Sequence, residues 1–220
     1  MNIEQVRFNM VEQQIRTWDV LDTDVLDLLH RIKREDFVPP EQRHYALMDI
    51  DTPLAPVSST ERMWAPKVEA RVVQELELRG DEHVLEVGTG SGYLTALLAA
   101  RAARVTSIEI DPALARFGAA NLARAGVRNA TVLTGDGALG WRGEAPYDAI
   151  VFTSSMEVLP DEVFTQLKSE GTVFAIVGKR PVMSAQRVRV SASGGRQTQT
   201  LFETLVAPLV NAARGPAFVF

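Results

Sequence analysis

The segment His83–Ala99, HVLEVGTGSGYLTALLA, decides the fold. A strand-like run leads into three glycines at alternate positions, and a helix-forming run follows. Glycine tolerates positive φ and lets a ligand approach the backbone closely, while the amino end of the following helix favours an anionic group. The segment therefore predicts a strand, a ligand-binding loop and a helix. The alternative interpretation is a tight turn without a ligand.

The whole chain has the composition of an ordinary globular protein. It contains 220 residues, 46% of them hydrophobic, with a net charge of -5 and no cysteine. An acidic chain argues against a general nucleic-acid or anionic-membrane binder, and the lack of cysteine excludes disulfides and thiolate metal sites. No apolar run approaches the ~18 residues of a membrane span, and the start lacks a signal-peptide core. We expect a cytoplasmic protein with no metal, no nucleic-acid partner and no membrane partner.

Strands and helices alternate through the second part of the chain. Strand-like HVLEV, RVTSIEI, ATVLTG, YDAIVFTS and TVFAIVG are separated by helix-like runs, and QRVRVSAS and QTQTLFETLV flank a Gly-Gly turn. Such alternation implies βαβ units, and the final pair predicts a hairpin. We therefore predict an α/β fold with a doubly wound, mostly parallel seven-stranded sheet and an antiparallel edge hairpin.

The first part of the chain predicts a helical extension. We expect residues 1–65 to form helices and a loop packed on a core of residues 66–220, with the whole forming one compact domain. Helical spacing of apolar residues predicts a helix capped by Asp22 or Thr23 and stopped by the Pro39-Pro40 pair.

An irregular segment, residues 41–66, follows that helix and is predicted to contact a ligand. Pro66 is predicted to begin the next helix, which should end at Gly80. The apolar end of ARGPAFVF, residues 213–220, is predicted to dock on the body of the protein or on another subunit.

The spacing of the glycines distinguishes between two classes of nucleotide ligand. A dinucleotide-binding loop has the pattern G-x-G-x-x-G, whereas Gly88, Gly90 and Gly92 give G-x-G-x-G after the acidic Glu86. This spacing disfavours NAD.

Acidic residues follow the next two predicted strands. Ligands of open α/β sheets bind at the carboxyl ends of the strands. Glu109, after the second strand, is placed to accept hydrogen bonds from ribose hydroxyls, and Asp136 in TGDGA is placed to meet an adenine ring. An isolated Gly-Asp-Gly is otherwise more often a plain turn.

Together, EVGTGSGY, IEID, GDG and YDAIVFTS resemble the successive motifs of class I S-adenosylmethionine-dependent methyltransferases. With the upstream REDFVPP, the resemblance narrows to the protein-L-isoaspartate O-methyltransferase family and covers roughly residues 15–206. It implies a Rossmann-like methyltransferase fold with S-adenosyl-L-methionine as cofactor and S-adenosyl-L-homocysteine as product. It also implies methyl esterification of isoaspartyl carboxylates in damaged proteins for their repair, by a monomer or homodimer.

The resemblance assigns the cofactor site to three motifs and their neighbours. Tyr93 has two interpretations, because it either packs over the ligand or fills the interface between sheet and helix. The assigned residues are Glu86, Gly88, Thr89, Gly90, Gly92, Tyr93, Glu109, Ile110, Gly135, Asp136 and Gly137.

The sequence departs from the family pattern on the acceptor side. The family carries Ser-Ala-Pro before the first core helix, and its serine lies between methyl donor and substrate carboxylate; WAPKVEA places Trp64 at that position. An indole offers one N–H on a much larger ring. The candidate catalytic residues are Trp64 and, as substitute hydroxyls, Ser59 and Thr60, with Ser58 beside them.

Several alternatives remain open from the sequence. Trp64 is equally well explained as a lid or core aromatic. Three functions fit the sequence. The protein methylates an isoaspartyl carboxylate, it methylates a small molecule, or it senses the cofactor without turnover. The lack of a catalytic base excludes none of these, because an aspartyl-type carboxylate with a pKa of about 3.9 is already ionised at neutral pH.

Overall fold

The computed structural model describes residues 2–215. The end of the apolar tail, residues 216–220, lies outside the described residues, so its predicted docking is not addressed. Within residues 2–215 the α-helices are α1 (Ile3–Met10), α2 (Thr23–Arg31), α3 (Pro66–Leu76), α4 (Tyr93–Ala99), α5 (Pro112–Arg124) and α6 (Asp161–Phe164). The strands of the same range are β1 (Thr52–Pro53), β2 (Arg62–Met63), β3 (His83–Val87), β4 (Arg104–Glu109), β5 (Ala130–Thr134), β6 (Tyr147–Met156), β7 (Leu167–Lys179), β8 (Val182–Val190) and β9 (Arg196–Glu203).

The main sheet has the strand order β5-β4-β3-β6-β7-β8-β9. Strands β3 to β7 pair in parallel, whereas β8 is antiparallel to both β7 and β9. The predicted seven-stranded, mostly parallel sheet with an edge hairpin is therefore confirmed. The chain runs outward from β3 in one direction to β5 and then crosses to β6 on the other side. The end of β3 is thus the point at which strand order reverses, where α/β sheets bind ligands.

Burial follows strand position in the sheet. All five residues of β3 are buried, as expected for a central strand covered on both faces. Most of the edge strand β9 is exposed and polar, beginning with RQTQT. Polar residues suit an edge because they discourage pairing with another chain.

The N-terminal helices pack on the same hydrophobic core as the sheet. One cluster of buried side chains joins Val11 and Leu28 from the first part of the chain to Val73 and Leu97 from the second. Asp22 caps α2 as predicted, and its carboxylate accepts from the backbone N–H groups of the next turn. The extension consequently shares one hydrophobic core with the sheet and its helices.

Two predicted helix ends are wrong. Helix α2 ends at Arg31, well before the proline pair, because Ile32 is extended. Helix α3 ends at Leu76 rather than Gly80, because Glu77 takes a left-handed conformation. The carboxylate of Glu77 pairs with Arg187 and Arg189 of β8. These contacts with a distant strand override the local preference for helix.

DEVFTQLKSEG, the helix-like run predicted between the strands YDAIVFTS and TVFAIVG, is also shorter in the structure. Only Asp161–Phe164 is helical, and β7 already begins at Leu167, which pairs with Tyr147 of β6. The predicted irregular segment 41–66 contains a 3-10 helix, Pro40–Tyr45, and the two-residue ladder of β1 with β2. The rest of that segment is irregular, as predicted.

Gly92 sets how closely α4 can approach α5. Its φ is +81°, and a Cβ atom there would lie 2.9 Å from the carbonyl oxygen of Gly118. Gly126 has a similar φ of +74°, yet a Cβ atom there would meet nothing within 4 Å. We predict that Gly92→Ala lowers the free energy of unfolding by about 3 kcal/mol and Gly126→Ala by about 1 kcal/mol.

Denaturant unfolding of the two variants separates backbone strain, which they share, from the steric clash, which only Gly92→Ala introduces. Equal losses of stability would contradict the close helix contact.

Candidate active site

A cavity opens at the carboxyl ends of β3, β4, β5 and β6. It brings together most of the residues that the sequence assigned to the site. From the predicted set it is lined by Thr60, Trp64, Glu86, Gly88, Thr89, Gly90, Glu109, Ile110, Gly135, Asp136 and Gly137. Of the remaining predictions, Ser59, Gly92 and Tyr93 are not among the lining residues, whereas Ser58 is.

The loop after β3 is shaped by the end of β6. Gly88 has φ of +100°, and a Cβ atom there would lie 2.0 Å from the hydroxyl oxygen of Thr153. That hydroxyl donates to the carbonyls of Val87, at 3.0 Å, and Gly88, at 2.9 Å. Only glycine fits between the strand end and Thr153, and Gly88, Thr89 and Gly90 of this loop line the cavity.

Glu86 places a buried carboxyl group beneath the loop. Ser107 donates to its Oε2 at 2.6 Å, and Thr95 donates to the same oxygen. Its Oε1 has no hydrogen-bond partner among residues 2–215. Burial raises the pKa of Glu86 to about 7, although the two hydroxyls oppose this shift. The group thus changes charge near neutral pH on the wall of the cavity.

Glu109 is held at the end of β4 by backbone donors. Gly90 donates to its Oε2 at 2.9 Å, and Asp111 donates to its Oε1 at 3.0 Å. Burial raises the pKa of Glu109. Because each carboxylate oxygen can accept more than one hydrogen bond, both retain acceptor capacity for hydroxyl groups.

Asp136 lies after β5 and is tied to the last described part of the chain. Its Oδ1 accepts from the backbone N–H of Ala138 at 2.9 Å, and its Oδ2 accepts from the amide of Asn211 at 2.8 Å. The carboxylate is exposed and fixed at the rim.

The C-terminal segment around Asn211 forms a wall that sequence reasoning missed. Pro208, Leu209 and Val210 line the cavity. Ser155 of β6 anchors the segment, because Leu209 donates to its carbonyl at 2.8 Å. No sequence pattern marks this wall, since it depends on a contact between distant parts of the chain.

Trp64 combines the two interpretations that the sequence left open. Its side chain is 7% exposed and meets Phe174 of β7 edge to face, with ring centroids 6.3 Å apart. The same residue lines the cavity. Trp64 is therefore both a core aromatic and part of the cavity wall.

The predicted substitute hydroxyls lie in a turn before β2. Thr60 donates to the carboxylate of Glu61 at 3.3 Å, and Ser58 accepts from the backbone N–H of Glu61 at 3.2 Å. Ser59 does not reach the cavity lining. Ser58 and Thr60 both line the cavity, and of these two only Ser58 has a hydroxyl hydrogen that is not used in these contacts.

Arg34 is a second feature that sequence reasoning missed. It is 1% exposed, forms an ion pair with Glu69 of α3, and donates to the carbonyl of Trp64 at 2.5 Å. Its guanidinium also lies 5.1 Å from the ring centroid of Tyr93. Burial lowers the pKa of Arg34 to about 10, so the group stays charged at neutral pH.

Tyr93 lies behind the glycine loop rather than over the cavity. Its ring is fully buried and packs edge to face on Phe37, with centroids 5.4 Å apart. It fills the interior, which is the second of the two interpretations that the sequence left open for it.

Comparison with known proteins agrees with this architecture. A family model described as protein-L-isoaspartate(D-aspartate) O-methyltransferase matches residues 5–214. A relative from Methanoculleus marisnigri named protein-L-isoaspartate O-methyltransferase is 39% identical over 204 residues, which cover 93% of this chain and 91% of the relative. One of the same name from Myxococcus xanthus is 41% identical over 161 residues, or 73% of this chain and 74% of the relative.

Two solved structures share the fold. A protein-L-isoaspartate O-methyltransferase has a TM-score of 0.77 and 22% identity, covering 92% of this chain; the chain spans 65% of that structure's length. A Plasmodium falciparum protein titled as a putative protein-L-isoaspartate O-methyltransferase, in complex with S-adenosyl-L-homocysteine, has a TM-score of 0.75 and 18% identity, covering 95% of this chain and 98% of its own. The chain belongs to the protein-L-isoaspartate(D-aspartate) O-methyltransferase family, as its motifs predicted.

Proposed function

We propose that this chain methylates the α-carboxylate of isoaspartyl residues in damaged proteins, with S-adenosyl-L-methionine as methyl donor. The observation that carries the proposal is the cavity in which the family's cofactor motifs meet an acceptor-side wall around Trp64. The titled complex of the Plasmodium falciparum structure with S-adenosyl-L-homocysteine supports the choice of cofactor.

The residues of the cavity fit that cofactor. We assign its ribose hydroxyls to Glu109, its adenine to Gly135–Gly137 and its amino-acid end to Gly88–Gly90. The oxygen of Glu86 that has no partner among the described residues, buried at the cavity wall, suits the positively charged amino group. When bound, S-adenosylmethionine supplies a methyl group on a positively charged sulfur, and transfer to a carboxylate leaves a neutral ester and a neutral thioether.

The chain has only to position the acceptor and exclude water. An α-carboxylate with a pKa of about 3.5 is ionised at neutral pH, so no side chain needs to remove a proton. Fixing the reacting atoms and keeping water out supply the acceleration in such a displacement. The apolar side chains of Met63, Trp64 and Leu209, which line the cavity, keep water out.

A small-molecule acceptor is the second candidate function. The observation that favours it is Trp64, which places a large ring where the family carries a serine and so narrows the acceptor side. Cofactor binding without turnover is a third outcome of the experiment below.

Location and assembly are also proposals. In the described part of the chain, no helix is both long enough and apolar enough to cross a membrane. We retain from composition the expectation of a cytoplasmic protein that acts without a nucleic-acid or membrane partner, and beside it the expectation of a monomer or homodimer.

Transfer of a labelled methyl group tests the proposed function. An isoaspartyl peptide should become labelled, the matching aspartyl peptide should not, and mild base should release the label because the product is an ester. Protein that binds S-adenosyl-L-homocysteine in calorimetry but labels neither peptide would contradict the proposal. It would favour a small acceptor or a sensor.

The role of Glu109 can be tested by removing its charge. Hydrogen bonds to charged groups are worth about 1.5–3 kcal/mol, so Glu109→Gln should weaken S-adenosyl-L-homocysteine binding by about tenfold or more. Calorimetry measures the affinity, and a melting curve shows that the variant is folded. Glu203→Gln, on exposed β9, is the matched control and should bind as the wild type does. Equal affinity of the two variants would remove Glu109 from the cofactor site.

The raised pKa of Glu86 predicts a pH dependence of cofactor binding. Below its pKa of about 7 the carboxyl group is largely neutral, and above it the group is ionised and attracts the amino group of the ligand. Affinity for S-adenosyl-L-homocysteine should therefore rise several-fold from about pH 5.5 to about pH 7.5 and then level off. Calorimetry across this range should show the rise in the wild type and its loss in Glu86→Gln. Parallel curves would contradict the assignment.

A further inference from the structure

The cavity is strongly acidic. Its lining carries six carboxyl groups, those of Glu61, Glu69, Glu86, Glu109, Asp111 and Asp136. Such a wall suits a methyl donor with a positive sulfur and a positive amino group. It repels an anionic acceptor, because like charges at short range disfavour binding. A cation supplied by the chain, beside the positive sulfur of the donor, would therefore favour binding of a carboxylate acceptor.

Arg62 is the one cationic side chain among the described lining residues. Arg34, the nearby buried cation, is already committed to Glu69 and to the carbonyl of Trp64. Arg62 belongs to β2 and lies opposite Pro53 of β1, two positions before Trp64. It thus sits on the acceptor-side wall, in the segment that departs from the family pattern at Trp64.

The guanidinium of Arg62 is largely unused. It makes one long contact, from Nη1 to the carbonyl of Asp51 at 3.5 Å. It takes part in none of the ion pairs formed within residues 2–215, and its side chain is exposed. A guanidinium presents five N–H donors in a planar fork that matches a carboxylate, so most of its donors are available to a ligand.

We propose that Arg62 binds the carboxylate that accepts the methyl group and makes the enzyme selective for anionic acceptors. This inference rests on the proposed function and adds the residue that recognises its substrate. Each carboxylate oxygen held by the fork retains a lone pair that can attack the methyl group, and the positive charge offsets the acidic wall. In this role Arg62 supplies the polar contact that an indole at position 64 does not provide.

Kinetics of Arg62→Ala and Arg62→Lys test the proposal. For an isoaspartyl peptide, Arg62→Ala should raise KM about 10- to 100-fold with a much smaller change in kcat, as expected for a lost charge-assisted contact. Arg62→Lys keeps the charge without the fork and should give an intermediate KM. Arg128→Ala, which removes an exposed arginine before β5 that does not line the cavity, is the matched control and should keep the wild-type KM.

Direct binding separates this inference from the proposed function. Peptide affinity is measured by calorimetry with S-adenosyl-L-homocysteine present, because its sulfur is uncharged and leaves Arg62 as the main attraction for the carboxylate. Arg62→Ala should weaken this affinity about tenfold or more while leaving the affinity for S-adenosyl-L-homocysteine unchanged.

Each outcome decides between the two claims. An unchanged KM and peptide affinity in folded Arg62→Ala would overturn the role of Arg62 and leave the proposed function intact. A wild type that binds the peptide without methylating it would overturn the proposed function, and the loss of binding in Arg62→Ala would still support the carboxylate contact. A wild type that neither binds nor methylates the peptide would overturn both.

Discussion

The buried guanidinium of Arg34 is the interaction on which the enclosure of the cavity depends. Arg34 donates to the carbonyl of Trp64 just before α3, pairs with Glu69 on α3 and lies against the ring of Tyr93 on α4. Burying one charge costs several kcal/mol unless partners compensate, and here the partners come from two parts of the chain, the start of α3 and α4. The acceptor-side wall and the helix that follows the glycine loop are thereby fixed relative to each other.

Charge divides the cavity into two functional sides. Carboxylates at the ends of β3, β4 and β5 create a negative field that suits a cationic methyl donor. In the proposed function, the apolar loop around Trp64, with Arg62 beside it, forms the acceptor side. Both reactants are therefore attracted without a titrating catalytic base. The chemistry requires nothing more, because the acceptor is already ionised and the reaction neutralises two opposite charges.

Local sequence patterns were sufficient for the sheet and for the cofactor side of the cavity. Strand β3 is buried on both faces and the glycines follow it directly, so composition and spacing alone identify the switch point. Glu109 ends β4, the strand next to β3, and Asp136 follows β5, one strand further out. Both could therefore be placed at the cavity from the sequence. These features depend on the periodicity of hydrophobic residues and on the order of the strands along the chain, and both can be inferred from the sequence.

The parts that sequence missed depend on contacts between distant residues. Arg34 stands in a charged run that is typical of a solvated surface, and only the fold shows that Glu69 pairs with it. The end of α3 is set by two arginines of β8, more than a hundred residues later. Arg62 has no local signature either, since its significance lies in the lack of any other cation among the described residues that line the cavity.

A crystal structure of the chain with S-adenosyl-L-homocysteine and an isoaspartyl peptide would test the central claim most directly. The account predicts that the homocysteine sulfur points from the glycine loop toward the wall formed by Arg62 and Trp64, with the peptide's α-carboxylate against the Arg62 guanidinium. A cofactor seated away from Glu109, or a peptide carboxylate bound without contact to Arg62, would contradict it.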